Sequence, residues 1–167
     1  MIPQIKKILY ATDLSKNSSY AFLYAVDLAK KHDAKIVVLH AVEPIPPYAE
    51  VYGAISKDFK KKQLEEMVTL MKEHLAGFCK KVESQMGPPC VELVTNILVP
   101  TAYPPDAILE TAEKEGCDVI VLGTHGKGFI SYAFLGSVSK AVLHRTQKPV
   151  FIIPLPTEKT AVDWDGI

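Results

Sequence analysis

The sequence predicts an α/β protein, built as a single doubly wound, five-stranded parallel sheet of Rossmann-like type with helices on both faces. Three observations carry this. Short, continuously apolar runs recur along the chain, the composition expected of strands covered on both sides. Stretches of helical periodicity separate those runs, so that strand and helix alternate as crossover-connected parallel strands require. One strand also gives way to a glycine-bearing loop and then to a helix start, a combination that suits ligand binding at a sheet end. Right-handed crossovers place helices on both faces.

Residues 5–11 read as the first strand, with Ile8, Leu9 and Tyr10 continuous enough for a central position. It ends at Thr12-Asp13, after which Asn17 or Ser18 can cap a helix whose apolar side carries Ala21, Tyr24, Ala25 and Leu28. Residues 36–39 form the second strand, which ends near His40-Ala41-Val42; His40 is expected as a satisfied core histidine. Residues 43–54 hold Pro44, Pro46, Pro47, Tyr48, Tyr52 and Gly53, and read as an exposed loop of low order. From about Lys57 a long amphipathic helix brings Leu64, Met67, Val68, Met71, Leu75, Phe78 and Val82 onto one stripe, until Gly87-Pro88-Pro89 ends it.

Residues 91–99 are the third strand, followed by a second proline-rich loop at 100–105. Residues 106–115 form a short helix with Ala107, Ile108 and Ala112 inward, stopped by Gly116. Residues 119–122 are the fourth strand, which halts at Gly123; Gly126, Gly128 and Gly136 follow. Ser137 is a good N-cap for a last helix carrying Val138, Ala141 and Val142 on one face, and Pro149 leads into the final strand, residues 150–153. One domain therefore spans 1–154, with 155–167 expected as a flexible tail.

Composition narrows the function. The formal charge is zero and 48% of the 167 residues are hydrophobic, so nothing points to a nucleic-acid surface or a polybasic membrane anchor. No apolar run approaches the length of a membrane span. Cys79, Cys90 and Cys117 show neither CxxC nor Cys/His ligand spacing, and are expected as free thiols in a reducing cytoplasm.

In open α/β sheets, ligands sit beyond the carboxyl ends of strands where the winding reverses. If the chain winds outward from the first strand and returns beside it, strands one and four flank that crevice. Their ends are Ala11-Thr12-Asp13 and Gly123-Thr124-His125-Gly126. The glycine loop is not a Walker A motif, because Phe129 rather than lysine follows Gly128, and it lacks the third glycine of the dinucleotide fingerprint. Loop amides, a helix N-terminus and glycines together make an anion site.

The spacing Gly-x2-Gly-x9-Gly-Ser from Gly123, with YATDLS, LHAVEP, GTHGKGFISYAFLGSVSKAV and KPVFIIP in order, resembles the universal stress protein family over about residues 4 to 154. The resemblance implies strand order 3-2-1-4-5 and the ATP-binding branch. By position it implies that Ala11, Thr12 and Asp13 border the adenosine and that Ala41 lies near the base. Gly123, Gly126, Gly136, Ser137 and Val138 would wrap ribose and phosphates. Asp13 can accept from both ribose hydroxyls, or serve a strand-end turn; His125 can touch phosphate, or pack the loop. The expected ligand is ATP, or ADP or AMP, with Mg2+ held by the phosphates.

In that order the final strand, Val150–Ile153, is an unguarded apolar edge, and a homodimer paired through it is expected, as the resemblance also implies. Two departures from the family are Ala102-Tyr103-Pro104 where Gly-x-Pro is common, and Ala11 where proline is common. The function implied is a cytoplasmic, ATP-binding regulatory or stress-response protein with slow or no hydrolysis. The alternatives are a nucleotide-dependent enzyme (ATP hydrolysis or adenylyl transfer) and a nucleotide-free interaction module. No Walker lysine or recognised general base supports the enzyme.

Overall fold

A computed structural model describes residues 2–48, 56–124 and 135–154, apart from the side chain of Lys16. Strands β1 (Lys7–Ala11), β2 (Lys35–Leu39), β3 (Val94–Leu98), β4 (Val119–Gly123) and β5 (Val150–Ile153) form one sheet in the order β3-β2-β1-β4-β5. Every pairing is parallel, and β1 lies at the centre with Leu9 opposite both Val37 and Ile120. Helices α1 (Lys16–His32), α2 (Lys57–Met86), α3 (Pro104–Lys114) and α4 (Ser137–Arg145) connect them. The fold class and strand order match the expectation.

Side chains alternate across a strand, so neighbouring residues serve different cores. Ile8, Tyr10, Ile36, Val38, Val119 and Val121 pack with Phe22 and Val26 of α1 and with Leu75 and Phe78 of α2. Leu9, Val37, Leu39, Ile120 and Leu122 pack on the opposite face with Ala107 and Ile108 of α3 and Val142 of α4. The Phe22 ring bridges Tyr10 and Phe78, with centroids 5.0 and 5.5 Å away. At the amino end of the sheet, one carboxylate oxygen of Asp118 accepts from the Lys6 and Lys7 amides at 2.8 and 2.9 Å.

Several expectations are corrected. The N-cap of α1 is Ser15, whose side chain accepts from the Ser18 amide, rather than Asn17 or Ser18. Tyr24 is exposed, meeting Tyr20 edge-on, and the buried stripe instead runs through Ala21, Phe22, Ala25, Val26 and Ala29. Helix α3 begins two residues early, because Pro104 and Pro105 occupy its first positions, where no amide donor is needed. A 3-10 turn, Val91–Leu93, precedes β3 and takes the first residues assigned to that strand. The cap of α4 is Gly136, and Ser137 is its exposed first residue.

The cysteines give the largest correction. Cys79 and Cys90, both fully buried, form a disulfide, while Cys117 is a buried free thiol. The pair staples the last turns of α2 to the segment entering β3. Gly87, at φ 73°, ends α2 with its amide on the Glu83 carbonyl, and the Glu83 carboxylate accepts from the Cys90 amide at 3.0 Å. Lys30 closes the same corner by donating to the Met86 and Gly87 carbonyls.

Of the residues 43–54, read as a low-order loop, 43–48 are exposed and 49–54 lie outside the described residues, as does the tail from 155. No helix among the described residues is long and apolar enough to cross a membrane.

Candidate functional site

The carboxyl ends of β1, β2 and β4 and the N-terminus of α4 meet on one side of the sheet, as the topology requires. After Ala11, which packs partly into the second core, the chain turns sharply. Thr12 is buried, and all its polar groups have partners within the protein. Its amide donates to the Leu39 carbonyl at 2.9 Å, and its carbonyl accepts from His40 Nδ1 at 2.9 Å. A carbonyl can only accept, so His40 carries its proton on Nδ1. His40 is satisfied as expected, although it is half-buried rather than in the core.

The Thr12 hydroxyl lies 2.8 Å from Ser18 Oγ and accepts from the Leu14 amide at 3.0 Å. Asp13 Oδ1 accepts from the Ser15 amide at 3.0 Å, closing an Asx turn that orients the carboxylate. Leu14, between them, adopts φ 65°, a left-handed conformation that a branched residue enters at a cost of about 1 kcal/mol or more. Beneath this turn the fully buried Tyr10 hydroxyl donates to the Ser18 carbonyl at 2.6 Å. Burial holds that phenol protonated by pushing its pKa well above the ordinary tyrosine value.

Beyond β2, Ala41 packs partly into the second core and Val42 bridges to Thr101. The Val42 amide donates to Pro100, and the Ala102 amide donates back to Val42, each at 2.9 Å. The segment carrying Ala102 in place of the family's common glycine is thereby fastened beside Ala41.

On the far side of the crevice, two bonds tie α4 to the end of β4. The Gly136 amide donates to the Thr124 carbonyl at 2.7 Å, and buried Ser139 donates through Oγ to the Gly123 carbonyl at 2.7 Å. Thr124 in turn donates its amide to Ile153 at 2.9 Å. The first amides of α4 lack intrahelical acceptors, and no acidic residue stands in that turn. Gly136 sits at φ −60° and ψ 155°, a conformation open to any residue.

The structure thus brings together Ala11, Thr12, Asp13, Ala41, Gly123, Gly136, Ser137 and Val138 at strand ends and one helix start. His125 and Gly126 lie outside the described residues. Sequence reasoning missed Tyr10, Ser15, Ser18 and Ser139, the hydroxyls that hold the site's two walls. The run of serines after an apolar strand was a signal of the first wall; Ser139 had none.

A sequence model of the universal stress protein family matches residues 4–154. The chain is 33% identical to a universal stress protein A homologue of Coxiella burnetii over 150 residues, covering 89% of this chain and 94% of that one. Among solved structures it resembles a universal stress protein of Lactobacillus plantarum with a TM-score of 0.67 at 21% identity, covering 90% and 98% of the two chains. A universal stress protein in complex with cAMP superposes with a TM-score of 0.55 at 22% identity over 90% of this chain and 97% of that one. One from Archaeoglobus fulgidus in complex with dAMP gives 0.55 at 21% over 91% and 99%.

Proposed function

The chain belongs to the universal stress protein family, and from that premise we propose that it binds an adenine nucleotide, ATP or its ADP or AMP forms, in the crevice between β1 and β4. The role is regulatory, in the stress response, with slow hydrolysis at most. The observation that carries the reading is the joining of α4's first turn to the end of β4 through Gly136 and Ser139, opposite the oriented carboxylate of Asp13. One wall offers amide donors to phosphate and the other offers an acceptor to ribose hydroxyls. Relatives solved with cAMP and dAMP support adenine as the base.

The residues present fit such a group. Ala11 and Ala41 present small side chains to a flat base, Gly123 and Gly136 carry no side chain where phosphate would meet backbone, and Ser137 adds a hydroxyl at the positive end of α4. His125 and Gly126 complete the phosphate side by sequence position, with Mg2+ carried on the phosphates. Val138 closes the apolar margin. Among the described residues nothing in this arrangement favours a transition state over a ground state, and turnover below about one per second is expected.

The working unit is a homodimer paired through β5. A cytoplasmic location is the part of this reading that the Cys79–Cys90 disulfide speaks against, since such bonds are rare in reducing compartments. Alkylation of acid-quenched intact cells decides whether the pair is reduced.

Mass spectrometry of ligand released from purified protein, followed by calorimetric titration with ATP, tests the whole proposal. Micromolar binding, roughly −8 kcal/mol, is the expected result. Purified protein that carries no nucleotide and gives no heat with ATP would refute it.

A further inference from the structure

Thr12 stands where the family resemblance suggested a residue bordering the ligand, yet its hydroxyl is turned inward. Four groups there form a chain whose proton direction is fixed. Ser18 Oγ donates to the Ser15 carbonyl at 2.9 Å, and a carbonyl only accepts. The single Ser18 proton is therefore used, so Thr12 must donate to Ser18 Oγ across 2.8 Å. Its own oxygen is then free to accept the Leu14 amide at 3.0 Å. Amide, hydroxyl, hydroxyl and carbonyl run in one direction, from Leu14 to Thr12 to Ser18 to Ser15. The Tyr10 hydroxyl holds the Ser18 carbonyl from beneath.

This chain encloses the residue that the nucleotide reading depends on. Asp13 lies between Thr12 and Leu14, and its carboxylate direction is set by the Ser15 amide. Leu14 stays left-handed at φ 65° only because its amide is captured on one side and its side chain is packed against the first core on the other. Releasing the Leu14 amide would let the residue relax towards negative φ, turning the Asp13–Ser15 unit with it.

We propose that Thr12 is a positioning residue: its hydroxyl, through the one-way chain to Ser18 and Ser15, locks the Leu14 backbone and so aims Asp13 at the ribose hydroxyls of the bound nucleotide. This rests on the nucleotide reading above. It differs from a general stabilising role in what it predicts for ligands that lack those hydroxyls.

The experiment titrates ATP and 2′,3′-dideoxy-ATP into the full-length wild type, Thr12→Val, Thr12→Ser and Ser18→Ala, with thermal unfolding followed in parallel. Thr12→Val is expected to lose about tenfold in affinity for ATP, the scale of one hydrogen bond to a charged group, and almost nothing for the dideoxy analogue. Thr12→Ser, which keeps the hydroxyl, should bind both as the wild type does. Should Thr12→Val fail to fold, Ser18→Ala interrupts the same chain one link further on and carries the comparison. Equal losses for the two nucleotides, or no loss for either, would overturn the positioning role while leaving nucleotide binding intact. A wild type that binds neither nucleotide would overturn the underlying reading, and this inference with it.

Discussion

The amide of Gly136 donates to the carbonyl of Thr124 at 2.7 Å, joining the two sides of the glycine loop. That bond needs no special backbone: at φ −60° Gly136 could be any residue. Backbone conformation therefore sets no requirement for glycine there, and a ligand would. Gly136→Ser should therefore keep or slightly raise the melting temperature, since serine is a better N-cap by a few tenths of a kcal/mol. It should weaken ATP by about tenfold or more, because a side chain enters the space where phosphate meets backbone. Calorimetry and thermal unfolding on the same sample check both halves, and an unchanged affinity would remove the phosphate from that position.

The disulfide gives a second test. Cys79 and Cys90 are 11 positions apart, and closing a loop of that size stabilises by about 3 kcal/mol through the unfolded chain. Denaturation in urea with and without a dithiol reductant should differ by about that amount. The paired replacement Cys79→Ala with Cys90→Ala should match the reduced protein to within the cost of the small cavity, and should no longer respond to reductant.

Cys117 sets a pH dependence. Burial beside β4 is the main cause that pushes its thiol up from 9.0 to about 11. In that window the folded state keeps a proton that the unfolded state releases, so stability falls as pH rises from about 9 to about 11. Chemical denaturation at pH 8, 9.5 and 11 should show the decline, and Cys117→Ala should flatten it. At pH 8 a charged alkylating reagent should leave Cys117 unmodified in the folded protein.

Strand β5 lies at one edge of the sheet, and Phe151 on it is 43% exposed. An antiparallel pairing with a second copy would satisfy its outer backbone row and cover that ring. Light scattering of the wild type should give a dimer at micromolar concentration. Phe151→Lys should give a monomer or insoluble protein, and a monodisperse wild-type monomer would end the proposal.

Much of this was legible in the sequence because β1, β2, β4 and β5 each hold a continuous apolar run, which marks a sheet covered on both faces before any contact is known, whereas β3, with Thr95 and Asn96 exposed, shows the pattern less cleanly. The meeting of the β1 and β4 ends followed from topology, and the positions of Asp13 and Gly136 beside those ends from their places in the chain. What stayed hidden depended on choices between equivalent residues. Ser15, Asn17 and Ser18 are all competent caps, and Ser15 is selected by the Asp13 turn and by Tyr10 drawing Ser18 into the helix. Pro104 and Pro105 read as loop residues because proline breaks helices, whereas at a first turn it is welcome. Cys79 and Cys90 carry no motif; only the return of the chain after Gly87 brings them together.

The alternation along β4 has a consequence for how the sheet finds its pairing. Ile120 belongs to one core and Val121 to the other. A slip of β4 by one residue would exchange them, and with them every contact that β4 makes on both faces. The parity of a single residue therefore decides which core each β4 side chain joins. Asp118, gripping the Lys6 and Lys7 amides where β1 begins, fastens β4 to β1 in the one register that sets Ile8 opposite Val119.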